Sequence, residues 1–459
     1  MKTFSEAIAC MKANGWVFEV TARDHAYAIL YTFFRQRKRL KEITDSYFRR
    51  HRLEPSVRAH LTAYTREVIR WTGRLDWWLR LALDRPGKRR PLALQVVLRQ
   101  AVYELFMDPT IPDYAVLDEA VKQARKKVGP YATGLVNAIL RKLTQYNPEI
   151  PPGSLDTLEN RAAWYSFPSW LMHRWEQRYG QEQTVELANY FNHQPPHHVR
   201  RNPDRLDEET FFQALEAAQI DGERFSDSDR FYRIIKGGQQ LLKHRLFREG
   251  AVSFQDRGAG AIVEFLAPQE GELILDVCAA PGTKSVYLAE YAHDRVRVLA
   301  SDVNPRRVAA AQKDLQRHNL TSLEWSCKDA TRDSFPHADA VLIDAPCTGT
   351  GIFGRRPDAR WRRQPGEIET MADLQLKLLT HMQTFVKPGG RLVYSTCSLE
   401  PEENWQVVET FNNLSDRFMI DSAMNYVPLD WTDDSGALST WPPRHGVDGM
   451  FAVRLVTRS

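Results

Sequence analysis

The chain has 459 residues, 43% hydrophobic and 26% charged, with a net charge of +4. That is enough apolar material for about two to four ordinary domains, and no stretch approaches the roughly 18 apolar residues of a membrane span. Five cysteines, at 10, 278, 327, 347 and 397, form no C-x-x-C pair, which argues against a thiolate zinc site or a disulfide framework and for reduced thiols in the cytoplasm.

Lys2, Glu6 and Lys12 precede no apolar block with a cleavage site, so no signal peptide is expected. The small net charge hides an asymmetry. Residues 1–150 hold 27 Lys+Arg against 15 Asp+Glu, and the rest of the chain holds 35 against 43. A basic front on a mildly acidic body points to a polyanionic partner gripped from the front.

Residues 1–146 read as an all-helical domain. Tyr114, Leu117, Val121, Ala124 and Val128 recur at helical spacing, and Ala26–Phe34, Leu92–Phe106 and Leu135–Leu143 behave alike. Pro86-Gly87, Pro109, Pro112 and Gly129-Pro130 punctuate them. The cluster Arg35, Arg37, Lys38, Arg39, Lys41, Arg49, Arg50 and Arg52 is either a solvated helix face or a phosphate contact; the basic front favours the contact. Asn147-Pro148 and Pro151-Pro152-Gly153 mark a linker near 146–156. A further helical stretch is expected over 168–192, before Pro195-Pro196, and 157–250 as a whole reads as linker helices and a small α+β region. His193, His197 and His198 lack carboxylate or Cys partners in sequence and read as a surface turn, not a metal site.

From 251 to 459 strands and helices alternate, the pattern of a mostly parallel α/β sheet with helices on both faces. Leu273–Val277 reads as its first strand, followed by the small-residue loop Cys278-Ala279-Ala280-Pro281-Gly282-Thr283-Lys284 and a helix over Ser285–Tyr291. The loop lacks the glycine spacing of a dinucleotide site. A second strand, Val296–Ala300, leads to Asp302, placed to accept from a ribose diol, and a third, Leu323–Ser326, leads to Asp329, placed for an adenine amino group. Each acid could instead cap a turn; three successive strand ends favour a nucleoside pocket.

Two more strands, Ala340–Ile343 and Arg391–Tyr394, run into Asp344-Ala345-Pro346-Cys347 and Ser395-Thr396-Cys397-Ser398. A buried Cys is usually a small hydrophobe. Here both thiols leave their strands in turn-forming segments on the edge where such sheets bind ligands, so they are expected to share one cleft. A thiolate that adds to carbon 6 of a pyrimidine makes carbon 5 nucleophilic enough to take an electrophilic methyl. A carboxyl such as Asp344 would stabilise the adduct, and a second thiol would help remove the carbon 5 proton. The donor that completes this chemistry is S-adenosylmethionine, and the base must be flipped or single-stranded. Pro401-Glu402-Glu403-Asn404 predicts a helix start close to Cys397. The basic stretch Gly354–Arg363, with one tryptophan, predicts an RNA-clamping loop.

These motifs, Cys278–Lys284, Asp344–Cys347 and Ser395–Ser398, resemble those of the RNA cytosine-C5 methyltransferases of the NOL1/NOP2/Sun family, with Phe247–Asp256 as the lead-in and Asp448-Gly449-Met450-Phe451 as the final strand. Tyr114–Lys126 and Tyr131–Leu143 resemble the NusB-type RNA-binding fold. The resemblance implies a Rossmann-like S-adenosylmethionine-dependent sheet behind a NusB-like domain, acting as a monomer on RNA, 16S ribosomal RNA first. A transfer RNA substrate and a non-catalytic RNA-binding assembly factor are the alternatives. It implies Cys397 as nucleophile, Cys347 as release group and general base, and Asp344 as base contact bordering the cofactor. Cys278, Ala279, Ala280, Pro281, Gly282, Thr283, Lys284, Asp302, Asp329 and Asp344 would hold the cofactor, and Arg37, Lys38, Arg39, Arg355, Arg356, Arg360 and Trp361 the RNA. Thr283 stands where the family usually has Gly, and Thr348 where Ser is commoner.

Overall fold

The computed structural model describes residues 21–83, 87 and 89–458; Lys2, Glu6, Cys10, Lys12 and Pro86 lie outside the described residues. Two compact units emerge: the described residues up to His193 together with Phe353–Arg363, and Gln194–Ile352 together with the chain from Gln364 onward. No helix among the described residues is long and apolar enough to cross a membrane.

The first unit is all-helical: α1 (Ala22–Gln36), α2 (Leu40–Arg50), α3 (Pro55–Arg70), α4 (Thr72–Ala82), α5 (Leu92–Met107), α6 (Asp113–Lys127), α7 (Ala132–Leu143), α8 (Leu158–Trp164) and α9 (Ser169–Asn192), the last interrupted at Gly180. Thr21 caps α1 by accepting the Asp24 N–H, and Arg37 ends it in the left-handed region (φ 52°). Arg37, Lys38 and Arg39 therefore occupy an exposed turn between α1 and α2. Apolar residues at helical spacing, among them Ile29, Leu61, Val68, Val97, Val116 and Val136, form one buried core. Trp164 of α8 joins that core, so the linker expected at 146–156 falls inside this unit.

Phe353–Arg363 carries the short helix Pro357–Arg362. Arg360 is fully buried. It donates to the carbonyls of Ser166 (3.1 Å) and Phe191 (3.1 Å) and to Asn192 Oδ1 (2.8 Å), with its guanidinium 3.8 Å over the Phe167 ring. Arg70, also buried, donates to Phe191 O (2.6 Å) and Gly354 O (3.0 Å), and Trp361 Nε1 donates to Ile69 O (2.7 Å). This corrects the expectation of an RNA clamp. Arg360 is an interior group, held in part by the Phe191 carbonyl at the end of α9, where carbonyls lack helical partners and favour cations, and Trp361 is half-buried and bonded to α3. Arg356 is exposed and Arg355 half-buried. Arg360→Ala strands those acceptors, and we expect it to lower stability by about 2–4 kcal/mol, read from urea unfolding midpoints.

The second unit starts with β1 (His197–Arg201), α10 (Glu208–Ala217), β2 (Asp221–Arg224), β3 (Phe231–Lys236) and β4 (Val252–Phe254). The strands form an antiparallel sheet in the order β2-β3-β1-β4, with Phe211 and Leu215 of α10 packed on Val199, Tyr232 and Ile234. His198 is buried in β1 with Nδ1 2.9 Å from Asp256. It is a strand residue held by a carboxylate, not part of the surface turn expected from the sequence.

The larger sheet follows: α11 (Arg257–Leu266), β5 (Leu273–Val277), α12 (Thr283–Tyr291), β6 (Arg297–Asp302), α13 (Pro305–Leu315), β7 (Leu323–Cys327), β8 (Ala338–Asp344), α14 (Glu367–Met382), β9 (Val386–Thr396), α15 (Trp405–Leu414), β10 (Phe418–Asp421), β11 (Leu438–Ser439) and β12 (Phe451–Thr457). The order is β10-β12-β9-β8-β5-β6-β7, with β11 beside β12. β5 to β9 run parallel, and β12 is antiparallel to β9 and β10. Alternation along the strands builds two cores. Ile274 and Leu342 pack with α11 and α12 on one face, and Leu275, Val341 and Ile343 pack with α14 and α15 on the other.

Candidate active site

The parallel strands deliver their chemistry to one edge. β8 ends at Asp344, in register with Ser395 of β9. Beyond these ends the two cysteine loops are tied together: Gly351 N–H donates to Cys397 O (3.0 Å) and Leu399 N–H to Thr350 Oγ1 (2.8 Å). A Cβ on Gly351 would lie 2.2 Å from the Gly449 carbonyl, so the loop needs glycine there to approach the Asp448–Phe451 segment. The sulfurs of Cys347 and Cys397 stand 3.2 Å apart, both half-buried. The hydrogen bond with Cys397, then burial, then the charges of Cys397 and Glu403 push the Cys347 thiol well above its ordinary range.

Beside the sulfurs, Asp344 Oδ2 pairs with Lys284 Nζ at 2.8 Å, while Ser395 Oγ donates to Asp344 Oδ1 (3.2 Å). Lys284 is nearly buried; burial opposes its charge, but Asp344 and the nearby Cys397 hold the ammonium above the usual lysine range. Asp276, in the middle of the apolar strand β5, is fully buried, and burial pushes its carboxyl up to about 7. Ser285 donates to its Oδ2 (2.5 Å), and its Oδ1 has no hydrogen-bond partner. The sequence reading passed over Asp276; an acid inside Leu-Ile-Leu-Asp-Val was the signal, because a buried carboxyl needs a reason.

Between them runs the loop Cys278–Lys284. Cys278 (φ 62°) and Gly282 (φ 105°) are both left-handed, and a Cβ on Gly282 would come within 2.8 Å of the Trp325 ring. Burial and the charges of Asp302, Asp344 and Asp276 push the Cys278 thiol up, which disfavours its thiolate form. Asp302, buried at the end of β6, pairs with Arg307 (2.9 Å), which also reaches Ala280 O. Asp329 is less central: its Oδ1 accepts from Thr331 N (3.0 Å) and Oγ1 (2.6 Å), and Arg332 lies 3.0 Å from Oδ2. That is a turn cap, the alternative the sequence had left open.

One local expectation changes. Pro401 opens only a 3-10 turn, Pro401–Glu403; Asn404 (φ −115°, ψ −107°) breaks the path, and α15 begins at Trp405. The group that approaches the cysteines from this turn is the side chain of Glu403, not a helix terminus. Taken together, the edge holds two touching sulfurs, a half-buried ion pair and a small-residue loop flanked by acids. The three carboxyls Asp276, Asp302 and Asp344 around that loop suit a ligand carrying sulfonium and ammonium charges, and the unpartnered Asp276 Oδ1 is free to accept from it.

Residues 263–456 match the family described as 16S rRNA methyltransferase RsmB/F, 20–145 the NusB family, and 167–234 the ferredoxin-like domain of RsmF/B-like methyltransferases. The chain is 32% identical over 451 residues to the probable ribosomal RNA small subunit methyltransferase B of Synechocystis sp., covering 95% of this chain and 99% of that one. The ribosomal RNA small subunit methyltransferase B of Pasteurella multocida is 31% identical, covering 84% and 85%. Among solved structures, PH0851 superposes with a TM-score of 0.76 at 26% identity over 95% of this chain and 99% of that one. NSun6 from Pyrococcus horikoshii with SFG shares the fold (TM-score 0.57, 18% identity, 64% of this chain and 98% of that one).

Proposed function

Since the chain belongs to the 16S rRNA methyltransferase RsmB/F family and depends on S-adenosylmethionine, we propose that it methylates carbon 5 of a cytosine in small-subunit ribosomal RNA through a covalent cysteine adduct. The single observation that carries this reading is the 3.2 Å separation of two sulfurs beside the Lys284–Asp344 ion pair. Bound S-adenosylmethionine supplies an electrophilic methyl group.

Everything else falls to the chain's own residues. The loop Cys278–Lys284 and Asp276 hold the cationic end of the cofactor, and Asp302 its ribose. The Cys397 sulfur forms a bond to carbon 6 of the cytosine, and the electron pair of the carbon 5–carbon 6 bond becomes available at carbon 5. Asp344, held by Lys284, faces the ring nitrogen and amino edge and stabilises the adduct. Once Cys397 is bound as a thioether, its charge no longer opposes ionisation of Cys347. After methylation Cys347 gives its proton to solvent, its thiolate takes the carbon 5 proton, and the electron pair left behind expels the Cys397 sulfur as a thiolate. A thiol kept protonated would be a poor nucleophile, which supports the assignment of Cys397 as the attacking group. Arg37, Lys38 and Arg39, exposed on one turn, and Arg356 contact RNA phosphates.

Bisulfite sequencing of ribosomal and transfer RNA from a deletion strain tests the substrate. We expect a single cytosine of small-subunit ribosomal RNA to lose protection. Loss confined to transfer RNA would replace the substrate, and no loss anywhere would end the carbon 5 reading.

A further inference from the structure

Glu403 is a buried carboxyl with no part in the reaction as described. Its side chain is fully shielded from solvent, and four donors converge on it. Oε2 accepts from the Thr348 backbone N–H (2.8 Å) and from Gln375 Nε2 (3.1 Å). Oε1 accepts from the hydroxyls of Ser398 (2.6 Å) and Thr348. Thr348 directly follows Cys347, and Ser398 directly follows Cys397. Gln375, from α14, donates as well to Pro346 O (2.9 Å), the carbonyl just before Cys347. Tyr394 donates to the Glu403 carbonyl. One carboxyl thus binds both cysteine loops by their neighbouring residues. The N–H groups on Oε2 can only donate, so Oε2 carries no proton; burial pushes the carboxyl up, and the hydrogen bonds from Ser398, Thr348 and Gln375 oppose that rise.

We infer that Glu403 is a positioning residue for the methyl transfer: it clamps the two cysteine loops onto each other and places its charge so that Cys347 keeps the proton while Cys397 ionises. This rests on the two-thiol reading above and assigns what keeps two like groups unlike. The two sulfurs do not sit in equal fields. Glu403 and Cys397 both push the Cys347 thiol up, whereas Cys397 and the Lys284 ammonium favour each other's charged forms. A negative charge disfavours ionisation of its neighbour, and a positive one favours it. Without Glu403 the pair would lose both its spacing and much of its asymmetry.

Thiol labelling of the full-length protein, with no RNA and no cofactor present, tests this independently of cytosine chemistry. Iodoacetamide modification is followed against pH, with each cysteine resolved by peptide mass spectrometry. In the wild type we expect labelling of Cys397 to rise at a lower pH than that of Cys347. In Glu403→Gln the Cys347 rise moves down by about one pH unit and the gap narrows, while Glu403→Asp, which keeps the charge, preserves the order. A wild-type Cys347 that labels at the same pH as Cys397 or below it overturns the inference. So does a folded Glu403→Gln protein, judged by an unchanged melting curve, in which the gap is unaltered. Should Glu403→Gln fail to fold, Thr348→Val with Ser398→Ala strips both hydroxyls from Oε1 and reads the clamp instead. Bridging of the two sulfurs by dibromobimane should then fall about tenfold, and undiminished bridging overturns the clamp. Loss of methylation with labelling as expected would leave this inference standing and count against the carbon 5 reading alone.

Discussion

Replacing Cys397 by alanine is expected to abolish methyl transfer, whereas replacing Cys347 by alanine is expected to leave a protein–RNA adduct that survives a denaturing gel. The asymmetry follows from where each sulfur acts. Without Cys397 no bond forms to carbon 6, carbon 5 stays a poor nucleophile, and the rate should fall by about four orders of magnitude or more. Without Cys347 the first bond still forms and the methyl is still accepted. What would be missing is the proposed base, 3.2 Å from the sulfur proposed to attack, so the chain should stay attached. The readout is a slow-migrating band carrying both RNA and protein, formed only with S-adenosylmethionine. An adduct from Cys397→Ala and none from Cys347→Ala would exchange the two roles.

Asp344→Asn should reduce methyl transfer by about 10²–10³-fold and weaken cofactor binding as well. Lys284 is only 11% exposed and sits 2.8 Å from Asp344. An asparagine can still accept one hydrogen bond, so the geometry is largely retained, but the largely buried ammonium loses its counter-charge. Removing one partner of such a pair costs far more than the pair itself contributes. The released cation then repels a sulfonium ligand, which distinguishes this variant from one that merely loosens a loop. Calorimetry of cofactor binding, run beside single-turnover methylation, separates the two effects. Unchanged cofactor affinity with unchanged turnover would remove Asp344 from the site.

Much of this arrangement is legible in the sequence. Cys347 and Cys397 each follow a short apolar run, and a parallel sheet has only one edge for such strand ends to share. Cys278–Lys284 was equally plain, because small residues between a strand and a helix leave room for little else. The misreadings have a common cause. Arg360 and Trp361 belong to a run of positive charge that suggests solvent and phosphate, but the Ser166 carbonyl that helps bury Arg360 lies 194 residues earlier in the chain, and no local pattern shows it. Glu403 looked like part of a helix start; its role depends on Thr348, Gln375 and Ser398, which come from three different elements. Asp329 had two readings, and its own turn favours the cap.

Phe353–Arg363 has a consequence for anyone who treats the chain as separable modules. It leaves the polypeptide of the methyltransferase sheet shortly after Cys347, spends its buried arginine on α9, and returns to start α14. A chimaera that exchanges everything up to His193 for the front of a relative would therefore carry a mismatched plug, unless those eleven residues travel with it. The natural cut for recombination is not a point along the chain but a pair of pieces, and surviving hybrids should inherit both from the same parent.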